Sequence, residues 1–459
     1  VPISGECMRT SKYDLTRGSI PKTLLRLAIP TFVSQLLQDL FNVVDMIFVG
    51  RLGPAALVAV AMSGNLLRLV SILAHGISTG TIILVSQFLG ARKRVQSESI
   101  AMQALTLNVV CALGIGCLGY PLAEFGLWLM GVEPEVIPLG VPYLRVMLLG
   151  AATMFLSRTL TAIFRGAGDA VTPMVVLIFS SVVNIVLDPL LIFGIWRFPR
   201  LGVVGSAYAT VIGRGLGSAI LLYLCFRGRG VISLRHVERR PNLLVWGQIM
   251  RLGIFNAMQA LLRHGSRVLF IRVVAIFGTD PVAGYAICMR LRSLVMHFGT
   301  AFSNAVAPMV GQNIGANRID RAEKSAQLGS ILAAVVVTFI GIFLFTIPQF
   351  FVGWFTNEPE VTKIGSVYLR YLAATFAFMV VASVLGRALN GAGDTVSPMT
   401  ITGLSQFGVG LTLVIVLSQS IGLTGIWWGI AVSNVVQCLL IGYWYRRGDW
   451  KRKKPRISH

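Results

Sequence analysis

Apolar residues run along this chain in long blocks separated by short polar stretches. The blocks cover about 24–48, 55–85, 100–120, 137–163, 172–195, 203–226, 243–276, 282–311, 326–353, 364–388, 397–419 and 423–445. Each is roughly 20 residues or longer, which is what a helix needs to cross the hydrocarbon of a bilayer. Backbone groups in lipid must bond within their own segment, so the blocks predict helices. A membrane β-barrel would instead show alternating segments of about ten residues, and the pattern has none. The expectation is an all-α integral membrane protein with twelve transmembrane helices.

The second half of the chain repeats the first at an offset of 225 residues (358 minus 133). "EPEV" at Glu133 returns at Glu358, "YLR" at Tyr143 returns at Tyr368, and "GAGDAVTPM" at Gly166 returns as "GAGDTVSPM" at Gly391. Gln87, Gly90, Ala91 and Glu98 return as Gln312, Gly315, Ala316 and Glu323. The offset spans six helices, so both halves keep one orientation in the membrane. Parallel repeats of this kind are a device of transporter folds, with the binding site where the halves meet. The expected layout is an N-terminal segment 1–23, a six-helix lobe 24–226, a linker 227–242, a second six-helix lobe 243–445 and a basic tail 446–459. The twice-used "GAGD" loop reads as scaffold: its glycines suit a tight turn and its proline opens the next helix. No Lys-Ser/Thr follows it, so it is not a phosphate-cradling loop.

Composition agrees with the hydropathy pattern. The chain is 55% hydrophobic and 13% charged, with a mean hydropathy of +0.76, whereas soluble domains carry about a quarter charged residues. A net charge of +22 would suit a nucleic-acid partner, but its placement argues against one. With the N-terminus inside, inner segments hold about 23 Lys and Arg and outer loops about 4, the positive-inside bias. This predicts a multi-pass protein of the cytoplasmic membrane with both termini cytoplasmic and a basic tail beside anionic lipid. The first twenty residues lack the apolar core of a signal peptide, and Met8 is a candidate start. The six cysteines lack metal-ligand spacing. No nucleophile–base pair is apparent, so neither a cofactor nor an enzyme activity is expected.

Chemistry enters where the halves differ. Of 18 acidic residues, three lie well inside apolar blocks: Asp39, Asp45 and Asp188, all in the first half. Their counterparts are His264, Phe270 and, in looser register, Leu413; Asn184 maps to Val409. Gln35, Gln38, Asn42 and Asp45 share one helical face, with Asp39 at its edge, and Asn184 and Asp188 are one turn apart. Amides at such positions serve well as interhelix glue. An ionised carboxylate at mid-depth costs roughly 2.5–3.5 kcal/mol even on the lenient insertion scale, so Asp45 and Asp188 point to function. Burial and a neighbouring like charge let a carboxyl pair take up and release a proton. The same oxygens, with Asn184 and a hydroxyl, form a candidate Na⁺ site.

The chain resembles the multidrug and toxic compound extrusion (MATE) transporters, in their prokaryotic DinF-like branch. The resemblance rests on "FNVVDMIFVGRLGPAALVAV" after Pro30, "RGAGDAVTPM", "NIVLDPLLIFG", "MVGQNIGA" and "LNGAGDTVSPM". It implies a MATE/MOP-type fold of two pseudo-symmetric lobes, and export of small organic cations or amphipathic compounds in exchange for H⁺ or Na⁺. It also implies that Asp45 and Asp188 bind the ion, with Asn184, Tyr143 and Ser206 as partners; Thr210 also fits the last role. Pro30 would mark the bend of the first helix, and Gln38, Asn42 and Asp39 would line the substrate cavity. In the second lobe the corresponding candidates are Asn256, Gln259 and Arg290. That lobe departs from relatives with acidic residues there, carrying Arg263, Arg267, Arg290 and Arg292 instead. Expected partners are a small organic substrate and the bilayer, with a monomer as the unit; H⁺ is favoured over Na⁺. The alternative is a flippase for a lipid-linked or anionic amphipathic substrate.

Overall fold

The structure is a computed structural model and describes residues 13–228, 232–235, 237–238 and 240–452. Met8, most of the segment 1–23, parts of the linker and the tail beyond Arg452 lie outside the described residues. Two compact units emerge. The first, Val33–Ile254, holds most of α1 (Ile20–Gly50), then α2 (Pro54–Gly90), α3 (Arg94–Leu129), α4 (Ile137–Leu149), α5 (Ala151–Gly166), α6 (Val171–Phe193), α7 (Val203–Phe226) and the first turns of α8 (Leu243–Ala275). The second takes Leu15–Phe32 and the chain from Phe255 on. It holds the rest of α8, α9 (Thr279–Gly315), α10 (Ile319–Thr346), the short α11 (Pro348–Gly353), α12 (Pro359–Gly391), α13 (Val396–Gly403) with α14 (Thr412–Ile421), and α15 (Leu423–Arg447).

The unit boundaries fall inside helices rather than in the loops that delimit 24–226 and 243–445. Asn313 Nδ2 donates to Leu15 O at 3.3 Å, Arg318 donates to Thr16 O at 2.9 Å, and Phe32 stacks on Phe298 at 4.2 Å. These contacts fasten the start of α1 into the second unit. In the first unit, Gly253 and Gly80 press α8 against α2: a Cβ on Gly253 would lie 2.6 Å from Gly76 O, and one on Gly80 2.4 Å from Ile249 O. α1 therefore changes unit two residues after Pro30, whose ring removes an intrahelical hydrogen bond.

The repeat is visible in the backbone. Gly53, Arg92 and Gly168 have positive φ of 110°, 59° and 88°, and their counterparts Gly278, Asn317 and Gly393 have 109°, 56° and 91°. Each "GAGD" aspartate caps the helix that follows. Asp169 Oδ1 accepts from Val171 N and Thr172 N at 3.0 Å, and Asp394 Oδ2 accepts from Ser397 Oγ at 2.8 Å. The motif is thus structural in both halves.

Among the described residues, nine helices are long and apolar enough to cross a bilayer, or ten if α4 and α5, bent by 46°, make one span. The bend sits at Gly150, where a Cβ would lie 2.2 Å from Val211 Cγ2. The remaining two of the twelve expected spans are α8 and α9. Both are long, but Asn256, Gln259, Arg263 and Arg267 lie within α8, and Arg290 and Arg292 within α9. Two expected spans are also altered in detail. The block 326–353 breaks after Thr346, because Pro348 disfavours helix at the residue before it. The block 397–419 contains a π-helical stretch, Leu404–Leu411. Beyond it the register differs: the N-cap glycine before α7, Gly202 (φ 56°, ψ −134°), matches the one before α15, Gly422 (φ 66°, ψ −143°), at an offset of 220.

Candidate functional site: a carboxyl pair in the first unit

A ladder of small residues on α7 builds the site. Gly205, Ala209, Gly213 and Gly217 recur every four residues and let α7 lie directly on α6. A Cβ at Gly205 would meet Leu191 O at 2.5 Å, and one at Gly213 would meet Ser180 O at 2.8 Å. Ser180 Oγ donates to Gly213 O at 2.7 Å and fixes the register. One position further along the helix, Ser206, Thr210 and Arg214 form a second ladder.

Asp188 is fully buried, with 0% exposure. Asn184 Nδ2 donates to its Oδ1 at 3.5 Å and to Thr210 Oγ1 at 3.4 Å, both long and weak. Asp188 Oδ2 is buried with no hydrogen-bond partner. From α1, Asp45 accepts a short 2.7 Å bond from Ser206 Oγ. The two carboxyls lie within hydrogen-bonding reach of each other. Two carboxylates cannot bond directly, because ionised oxygens only accept; a shared proton makes the contact possible. Tyr143 on α4 is buried beside Val49, Met147 and Ala207, within electrostatic range of both acids.

The structure therefore gathers Asp45, Asp188, Asn184, Tyr143 and Ser206 in one place. Thr210 joins as the partner of Asn184 rather than of a carboxyl. Arg214 was missed by sequence reasoning. It lies within charge range of Asp45 and Tyr143, and its signal is the four-residue spacing Ser206, Thr210, Arg214. Gln38 and Asn42 stand on the same helix, bonded to each other at 3.5 Å with Asn42 exposed, and Asp39 is half-buried nearby.

The second-lobe candidates behave differently. Gln259 is 5% exposed, and its Nε2 is committed to Pro398 O and Thr402 Oγ1, each at 3.0 Å. Its role is interhelix glue. Asn256 is buried and Arg290 exposed. The matched positions in the second unit carry no carboxyl pair. Gly425 meets Leu417 O as Gly205 meets Leu191 O, which pairs Leu191 with Leu417 and so Asp188 with Val414, one residue on from Leu413.

The comparisons with known proteins cover nearly the whole chain. It matches the MatE family over residues 30–190 and 257–416. The probable multidrug resistance protein NorM of Thermotoga maritima is 28% identical over 96% of this chain and 97% of its own. A protein of Shewanella oneidensis named FAD transporter is 24% identical over 95% and 96%. Among solved structures, a MOP-superfamily transporter from Pyrococcus furiosus, described as having a binding pocket of reverse polarity, aligns with a TM-score of 0.87 at 24% identity over 95% of this chain and 97% of that one. A MATE structure in a bent conformation aligns with a TM-score of 0.88 at 24% identity over 95% and 96%. With its all-helical fold and the match over both repeats, the chain belongs to the MatE family of multidrug efflux transporters, which are transporters and not enzymes.

Proposed function

We propose that the protein exports small organic molecules across the cytoplasmic membrane in exchange for a cation bound at Asp45 and Asp188. The observation that carries this reading is the acid pair itself: Asp188 is fully buried, Asp45 is half-buried within reach of it, and one oxygen of Asp188 accepts from no donor. Such a site is incomplete until a proton or a small cation fills it. The direct approach of the two carboxyls favours H⁺, and the oxygens of Ser206 and Thr210 leave Na⁺ as the other outcome of the test. A cation entering down the membrane potential supplies roughly 2.3 kcal/mol per 100 mV. Ion and cargo then bias the same two-state equilibrium in opposite senses, and the coupling is reciprocal. Arg214 adds a positive charge within range of Asp45.

The test is ethidium accumulation in cells expressing the wild type, Asp45→Asn or Asp188→Asn, with membrane levels measured in parallel. The wild type is expected to lower accumulation, and both variants to lose that effect while remaining in the membrane. Wild-type efflux from either variant would remove the carboxyl from the mechanism. A second reading, transport of an anionic amphipathic compound or lipid-linked precursor, is favoured by the arginines of α8 and α9 and by the relative named FAD transporter.

A further inference from the structure

The second unit carries a charge-inverted echo of the acid site. At the repeat offset, Gln38 and Asn42 become Arg263 and Arg267, Asp45 becomes Phe270, and Tyr143 becomes Tyr368. In the first unit the tyrosine faces two acids. In the second it lies within charge range of Arg292 and Arg267, with the Tyr285 ring alongside. Arg263 lies in turn within charge range of Arg267, Arg292 and Arg387. No acidic side chain is among the groups acting on Arg263, Arg292 or Tyr368.

Two groups in this cluster lack what a buried polar group needs. Tyr368 is 0% exposed and its hydroxyl has no hydrogen-bond partner. Arg292 Nε is buried without a partner, and its Nη1 reaches only Met289 Sδ, at 3.6 Å. Arg292 is 13 residues into α9 from Thr279, about 20 Å along the axis, too far for its side chain to reach water past that end. Buried donors are normally satisfied, and buried arginines normally have a counter-charge. Here two such donors, Arg292 Nε and the Tyr368 hydroxyl, lack a partner among a group of arginines. Tyr368 also stacks on Trp427 at 4.0 Å and on Tyr285 at 5.3 Å, a rigid aromatic floor that holds its hydroxyl in place. Arg267 is exposed, and Arg263 and Arg292 are half-buried, so the cluster is open on one side.

We propose that Arg263, Arg267 and Arg292, with the hydroxyl of Tyr368, form an oxyanion-binding site in the second unit that receives the carboxylate or phosphate group of the transported molecule. The guanidinium forks match the oxygens of such a group, and the phenol completes its coordination. The proposal builds on the transport reading by naming the chemistry of the cargo: an organic anion or zwitterion joins the cations expected of the family.

The experiment is equilibrium binding of 5-carboxyfluorescein to the purified full chain in neutral detergent, followed by fluorescence anisotropy. The wild type is expected to bind it. Arg292→Gln should weaken binding at least tenfold, Tyr368→Phe several-fold, and Arg292→Lys should recover part of the loss. Arg292→Gln should also leave the thermal midpoint unchanged or raise it, because Arg292 Nε has no partner to lose; a merely structural arginine would lower it. Arg272 is exposed on the same helix as Arg267 but outside the cluster, and Arg272→Gln should bind the dye as the wild type does. Loss of dye binding in Arg292→Gln reports this site, whereas loss of ethidium efflux in Asp188→Asn reports ion coupling. Nanodiscs of phosphatidylglycerol and of phosphatidylcholine identify the source of the anion. Displacement of the dye only by phosphatidylglycerol assigns the site to a lipid headgroup, and no displacement assigns it to soluble cargo. An absence of wild-type dye binding in detergent, or equal binding by Arg292→Gln and the wild type, overturns the proposal.

Discussion

Asp188 Oδ2 and Asp45 Oδ1 show how differently one site can treat two carboxyl oxygens. The first has no partner, and the second takes a 2.7 Å bond from Ser206. A hydrogen bond to a charged group contributes about 1.5–3 kcal/mol. Ser206→Ala should therefore cut efflux about tenfold or more. Thr210→Ala should cost less than about threefold, because its hydroxyl meets only an amide, at 3.4 Å. Dose–response curves for ethidium efflux measure both, and equal losses would show that Ser206 does not position Asp45. The carboxylates were legible in the sequence because an acid within an apolar block is costly there. Tyr143 was not legible from pattern, since a buried tyrosine looks like any core aromatic, and only the family resemblance singled it out. The sequence places Gln259 among the cavity candidates because it does not reveal that Pro398 and Thr402, 139 and 143 residues away, satisfy its amide. Arg214 continues the ladder of Ser206 and Thr210, but the sequence does not reveal that it lies within charge range of Asp45.

At the scale of elements, span lengths follow from hydropathy, but their interruptions do not. The bend at Gly150 arises from the close approach of Val211, which no local pattern encodes. The π-helical stretch Leu404–Leu411 leaves only an indirect trace, the loosening of the repeat register after the fifth span. α1 is the element whose shape bears most on coupling. It joins the second unit up to Phe32 and carries Asp45 in the first, with Pro30 just before the change. A proline inside a helix costs about 3 kcal/mol relative to alanine. Pro30→Ala should thus raise the thermal midpoint of the purified protein while lowering the efflux rate about tenfold. A variant that gains stability and keeps wild-type efflux would show that α1 works as a rigid rod.

Across the whole molecule, one duplicated scaffold carries two opposite chemistries. The turns, caps and glycine crossings recur at fixed offsets, so they belong to folding. The acid pair occurs in the first unit and the arginine cluster in the second, and the proposed transport chemistry rests on that difference. The division of the scaffold was readable from the repeated motifs, whereas the unit boundaries inside α1 and α8 depend on tertiary contacts and were not. The central claim is that Asp45 and Asp188 trade one cation for cargo. It is tested most directly by measuring proton uptake and ethidium release together in proteoliposomes under an imposed pH gradient without sodium. The account predicts that release by the wild type is accompanied by proton movement in a fixed ratio, and that Asp188→Asn shows neither. Proton-coupled release by Asp188→Asn, or wild-type release that ignores both pH and sodium gradients, would contradict it.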